Sequence, residues 1–113
     1  MNGLKYYAFS AHDTTLEVVF ASFGFSTTNY KEQGEPGYAA CISFELWQQS
    51  TGDYYVKVLY WPAANGTYDI TADIHGCTDK CPLRQFVQRS KPYMINGDHK
   101  EKCKLPVLSK LRL

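Results

Sequence analysis

An excess of charge of either sign is missing from this chain. Twelve Lys and Arg stand against eleven Asp and Glu, a net charge of +1. No basic field exists to draw in nucleic acid or an anionic lipid surface, so neither is expected as a partner. Long hydrophobic runs are missing too. The longest apolar stretch, residues 16–25, is short and broken by Glu17 and Ser22, and residues 1–5 (MNGLK) hold no apolar leader core. Neither a signal peptide nor a membrane span is therefore expected in this chain. Internal repeats and low-complexity segments are also lacking.

What is present describes a globular chain. Hydrophobic residues make up 44% and aromatics 15%, with nine Tyr and six Phe, well above what a disordered chain carries. A domain of this length buries roughly two thirds of its unfolded surface, enough for one core. Four cysteines, Cys41, Cys77, Cys81 and Cys103, allow two disulfides, and Asn65-Gly66-Thr67 is a glycosylation acceptor triplet. Both features point outside the cytoplasm, which conflicts with the lack of a leader unless the protein begins further upstream.

Local patterns place the elements. Residues 5–10 (KYYAFS) read as a short buried strand that stops at Ala11-His12-Asp13. Leu16, Val19, Phe20 and Phe23 share one helical face, Asp13 or Thr14 can cap it, Thr14 with Glu17 fits a capping box, and Gly24 is the stop. Residues 26–38 read as loop. Residues 41–47 and 54–61 read as a β-hairpin around the turn formers Ser50, Thr51, Gly52 and Asp53. The stretch 62–76 is irregular, with room for a short extended piece. Pro82 then suits the first turn of a helix running to about Ser90, with Leu83, Phe86 and Val87 on one face. From Lys91 onward the chain reads mostly as loop.

His12-Asp13 thus sits where a strand ends and a helix begins, the place where open α/β sheets bind ligands and where backbone N–H groups favour a phosphate. On position alone the plainer reading prevails. Asp13 is a common cap type and His12 an ordinary turn residue.

The surrounding residues add more. Tyr7-Ala8-Phe9-Ser10-Ala11-His12-Asp13-Thr14-Thr15-Leu16 resembles the second signature of the histidine acid phosphatases. Similar blocks follow in the same order: Pro36-Gly37-Tyr38-Ala39-Ala40-Cys41, Phe44-Glu45-Leu46, Gly52-Asp53-Tyr54-Tyr55-Val56-Lys57, and Gly76-Cys77-Thr78-Asp79-Lys80-Cys81-Pro82-Leu83-Arg84-Gln85-Phe86. The resemblance runs from about Lys5 to Val87 and is nearest to the animal secreted or lysosomal branch.

That resemblance implies phosphate monoester hydrolysis at acidic pH, through a phosphohistidine and without a metal or other cofactor. By the same match Asp13 would donate a proton to the departing alkoxide, and His12 would bind the phosphoryl oxygens. The family's Arg-His-Gly-x-Arg-x-Pro nucleophile motif occurs nowhere. His75-Gly76 is preceded by Ile74 and followed by Cys77-Thr78, so His75 reads as a loop residue, and His99 reads as a solvated one. The resemblance also implies a local Cys77–Cys81 disulfide, with Cys41 and Cys103 paired to upstream cysteines. A competing reading is a zinc site from His75, Cys77, Cys81, His99 and Cys103.

The expected fold is α/β, the C-terminal part of the histidine phosphatase (phosphoglycerate-mutase-like) fold: strand, helix, β-hairpin, disulfide-bridged loop and short helix. Residues 1–91 would be the C-terminal portion of the phosphatase domain and 92–113 a tail. The parent would be secreted or lysosomal, the isolated chain an inactive fragment that meets its phosphate monoester only with a nucleophile-bearing half. An open sheet edge and exposed aromatics such as Tyr54, Tyr60 or Trp61 would favour self-association. A non-catalytic phosphate-binding or interaction module is the alternative, beside the zinc-stabilised domain.

Overall fold

In the computed structural model the described residues are 5–63 and 66–94. Asn65, His99, Cys103 and the tail beyond Met94 lie outside them. The elements are helix α1 (Asp13–Ser22), strands β1 (Cys41–Gln48), β2 (Tyr54–Trp61), β3 (Tyr68–Asp69) and β4 (Cys81–Pro82), and helix α2 (Leu83–Ser90), with single 3-10 turns at Thr71–Asp73 and Lys91–Tyr93. The result is a mixed helix and antiparallel-sheet structure.

The hairpin forms where the alternation predicts it. β1 and β2 pair antiparallel from Cys41 opposite Trp61 to Gln48 opposite Tyr54, and the Gly52 N–H closes the turn on the Gln49 carbonyl at 2.8 Å. The far edge of β2 is shared. β3 pairs at Leu59 and Tyr60, and β4 pairs at Tyr55 and Val56. Between them Thr71 stands in for a strand: its Oγ1 accepts the Val58 N–H at 2.8 Å, while the Ile70 N–H reaches the Val58 carbonyl at 3.0 Å. This satisfies backbone groups that would otherwise be buried unpaired.

Residues 5–10 do not form the expected strand. They run without regular structure, and Tyr6, Tyr7 and Phe9 are exposed at 82%, 69% and 84%. The physical reason is the neighbourhood. An aromatic run of this kind is stable as a strand only with a ladder beside it and layers on its faces, and no described strand pairs with it.

Helix α1 begins at His12, whose extended φ of −123° makes it the cap residue. Thr15 Oγ1 accepts the His12 N–H at 3.4 Å. The box expected from Thr14 and Glu17 is thereby displaced, and Glu17 Oε1 is buried with no hydrogen-bond partner among the described residues. The helix ends as foreseen at Gly24. With φ of +90° there, the Gly24 N–H bonds the Ala21 carbonyl at 3.0 Å and the Phe25 N–H bonds Phe20 at 3.1 Å, a Schellman closure in which Phe25 packs on Phe20. A Cβ at Gly24 would lie 2.9 Å from that of His75, so close approach and positive φ both require glycine.

Phe20 and Phe23 of α1 pack on Val56, Val58 and Tyr60 of β2 and on Ile70 and Ile74 to make the core. Tyr60, expected among the exposed aromatics, is fully buried, because the Phe20 ring meets it edge-on at 4.9 Å and its hydroxyl finds an acceptor in Asn29. Tyr54 and Trp61, both 46% exposed, do face solvent. On α2 only Phe86 packs toward the core; Leu83 and Val87 are 36% and 40% exposed, since so short a helix covers little of β1. Arg89 ties α2 to α1. Its guanidinium donates to the Ser22 carbonyl at 2.6 Å and the His75 carbonyl at 2.8 Å, placing a cation at the negative end of α1.

Candidate active site

The chain turns from extended backbone into α1 at His12, whose carbonyl accepts the Thr15 and Leu16 N–H groups at 3.0 and 3.3 Å. Asp13 follows directly. Its Oδ1 accepts the Thr14 N–H at 2.7 Å, which leaves Oδ2 clear among the described residues. Both side chains are exposed and face a cleft of about 560 Å³ whose other walls include Phe9, Leu16, Tyr38 and Ile42.

The far wall comes from a loop held by a polar core. Asn29 is 5% exposed, and its Nδ2 donates to the Gln33 and Glu35 carbonyls at 3.2 and 3.0 Å. Its Oδ1 accepts from the Tyr60 hydroxyl. The Tyr68 hydroxyl donates to Glu32 at 2.6 Å and the Tyr30 hydroxyl donates to Asp73. These phenols are held above the usual range: Tyr30 by burial and then Asp73, Tyr60 by burial and then the Glu32 charge, Tyr68 by its bond to Glu32 and then burial. The network spans loop, sheet and 3-10 turn, and no local sequence pattern announces it. Its effect is to fix the rim facing His12.

Other singled-out residues, Cys41 excepted, fall elsewhere. The His75 N–H bonds the Phe23 carbonyl at 2.8 Å, at the opposite end of α1 from His12, and a helix of this length separates its ends by about 15 Å. Cys77 and Cys81 are joined in a disulfide, so neither thiolate is available to the zinc arrangement; among the described residues no cluster of three or more His, Cys, Asp or Glu fits a metal. Cys41 is a free, exposed thiol on the cleft. Glu45 is structural, its Oε1 accepting the Trp47 indole N–H at 3.0 Å. A larger groove, about 930 Å³, lies at the turn end of the hairpin against α2, lined by Tyr54, Tyr55, Lys80 and Arg84. No histidine lines it. No helix among the described residues is long and apolar enough to cross a membrane.

Comparison with known proteins gives the family. Residues 1–61 match the family model of the histidine phosphatase superfamily, branch 2. The chain is similar to a lysosomal acid phosphatase of Xenopus laevis, 32% identical over 102 residues, covering 90% of this chain and 22% of the relative. It is similar also to the human lysosomal acid phosphatase, 30% identical over 101 residues, 89% of the chain and 22% of the relative. A putative acid phosphatase 10 of Caenorhabditis elegans is 36% identical over 90 residues, 76% of the chain and 22% of the relative. This chain therefore spans about a fifth of the length of these curated relatives. No solved structure matches it significantly. The family match covers the His12-Asp13 turn, α1 and the whole hairpin, and on that ground the chain belongs to the histidine phosphatase superfamily, branch 2.

Proposed function

We propose that this chain supplies the leaving-group half of an acid phosphatase site. The observation that carries the reading is the adjacency of His12 and Asp13 at the open start of α1, facing one cleft. A phosphoryl group there would meet the His12 imidazole at the positive end of the α1 dipole. Asp13 Oδ2 would carry the proton needed by the departing alkoxide, a poor leaving group without one. General-acid assistance of this kind contributes roughly two to four powers of ten in rate.

The sequence has three histidines and no Arg-His-Gly-x-Arg-x-Pro segment, so the attacking imidazole has to come from outside these residues. In the full cycle that imidazole nitrogen bonds phosphorus as the ester P–O bond breaks and Asp13 protonates the leaving oxygen. Water then attacks phosphorus, the N–P bond breaks, and the proton of the water returns to Asp13. Residues 1–91 would form the C-terminal portion of the catalytic domain and 92–113 a tail. Phe44 and Leu46, 54% and 52% exposed on edge strand β1, would be covered by the part that carries the nucleophile or, without it, by a second copy. The disulfide, the Asn65 acceptor triplet and the lysosomal relatives favour a secreted or lysosomal parent.

The test is turnover of p-nitrophenyl phosphate across roughly pH 4–7, the range of carboxyl and imidazole titration. The chain alone should show none. Co-expression with a nucleophile-bearing N-terminal half should restore activity that Asp13→Asn abolishes. Turnover by the chain alone that is lost in Asp13→Asn would refute the half-site reading.

A further inference from the structure

The rim opposite His12 is built to hold one side chain in the open. Pro36 is buried, and Asn29 anchors the carbonyl just before it. Two residues past Tyr38 the Ala40 N–H closes a tight turn on the Gly37 carbonyl at 3.2 Å. Ala39 sits at φ of +65°, the left-handed region that a residue with a Cβ rarely adopts and that structures tolerate where a loop has to aim something. What it aims is Tyr38, 99% exposed yet on the wall of the cleft. Phe9, 84% exposed, lines the same cleft, and Leu16 and Ile42 line it too. One side of this cavity thus carries the acid and the imidazole, and the other offers aromatic and aliphatic faces without a charge.

We infer that Tyr38, with Phe9, is the leaving-group wall of this site, and that the chain selects phosphate monoesters with aromatic or other planar leaving groups over small alkyl ones. The inference rests on the preceding reading that the phosphoryl group sits at His12 and Asp13. With phosphorus held there, the ester oxygen lies near Asp13 and the group attached to it extends into the cleft between Phe9 and Tyr38. A planar group can stack on these rings; a methyl group cannot reach both.

Because this chain carries no nucleophile motif, binding can be measured without turnover. The full chain is titrated with inorganic phosphate, methyl phosphate and phenyl phosphate at mildly acidic pH, following the His12 ring resonances by NMR. All three should shift His12. Phenyl phosphate should bind about threefold to tenfold more tightly than methyl phosphate, the usual strength of an aromatic pair. Tyr38→Ala should erase that gain without changing the response to inorganic phosphate, and Tyr38→Phe should keep it. Equal binding of the two esters, or a gain that survives Tyr38→Ala, would overturn the wall while leaving the phosphate site intact. No response of His12 to inorganic phosphate would instead remove the site reading and the wall together.

Discussion

Asn29→Ala is the perturbation that most directly connects core packing to the site. The side chain makes three hydrogen bonds while 5% exposed. Removing it deletes two bonds to loop carbonyls, each contributing about 1 kcal/mol net. It also strands the Tyr60 hydroxyl, in a residue with no exposure, at a cost of about 1–3 kcal/mol. Water can reach the exposed Gln33 and Glu35 segment, so we expect a total loss of about 3 kcal/mol rather than the upper limit. Tyr60→Phe keeps the edge-on contact with Phe20 and leaves only the Asn29 oxygen unmatched, about 1–2 kcal/mol. In the double variant the orphaned hydroxyl is gone, so its loss should fall short of additivity by about 1 kcal/mol or more. Urea denaturation followed by tryptophan emission is the assay, because Trp61 is half-exposed beside Tyr60 and will report hairpin loss. Additivity to within about 0.4 kcal/mol would refute the claim that Asn29 and Tyr60 act as one unit. The same loop carries Tyr38, so Asn29→Ala should also weaken the preference for phenyl phosphate.

Further outcomes follow from the same structure. Thr71→Val leaves the buried Val58 N–H without its acceptor and should cost about 1–3 kcal/mol, whereas Thr71→Ser keeps the bond, loses one methyl and should cost about 1 kcal/mol; the opposite order in denaturation would contradict the strand-substitute role of Thr71. Gly24→Ala puts a Cβ at φ of +90° and against His75 and should destabilise by about 2 kcal/mol, while a thermal midpoint indistinguishable from the parent would show that the α1 stop is not constrained. At alkaline pH the sign is fixed by the raised phenols of Tyr30, Tyr60 and Tyr68. The folded state holds their protons more tightly, so this stabilisation is complete below the ordinary phenol value of about 10 and is lost as pH rises past it. Phenolate absorbance should therefore rise together with unfolding, and less steeply in Tyr30→Phe; ionisation of all phenols near their ordinary value with the fold intact would count against the network.

Local order accounts for what was legible in the residues alone. The alternation of β2, the turn formers at 50–53, the apolar stripe of α1 and the stop at Gly24 each depend on neighbours a few positions away, and the hairpin and helix lie where those patterns put them. The position of His12-Asp13 at a helix start was likewise set by local sequence, whereas the Cys77–Cys81 bridge was expected from the family resemblance. Periodicity tells which residues share a face but not what covers that face. That is why residues 5–10 lack a ladder, Tyr60 is buried, and Leu83 and Val87 are exposed. The cap moved to His12 because several residues near the helix start could serve, and the path of the preceding chain chose among them. The long-range bonds of Thr71, Asn29 and Arg89 carry no signal in sequence, since the partners Val58, Tyr60 and Ser22 are 13, 31 and 67 positions away. Side-chain bonds at such separations have no period. The same holds for the cleft: the sequence by itself put an acid and an imidazole side by side, but only the tertiary path of the loop from α1 to β1 brought Tyr38 to face them.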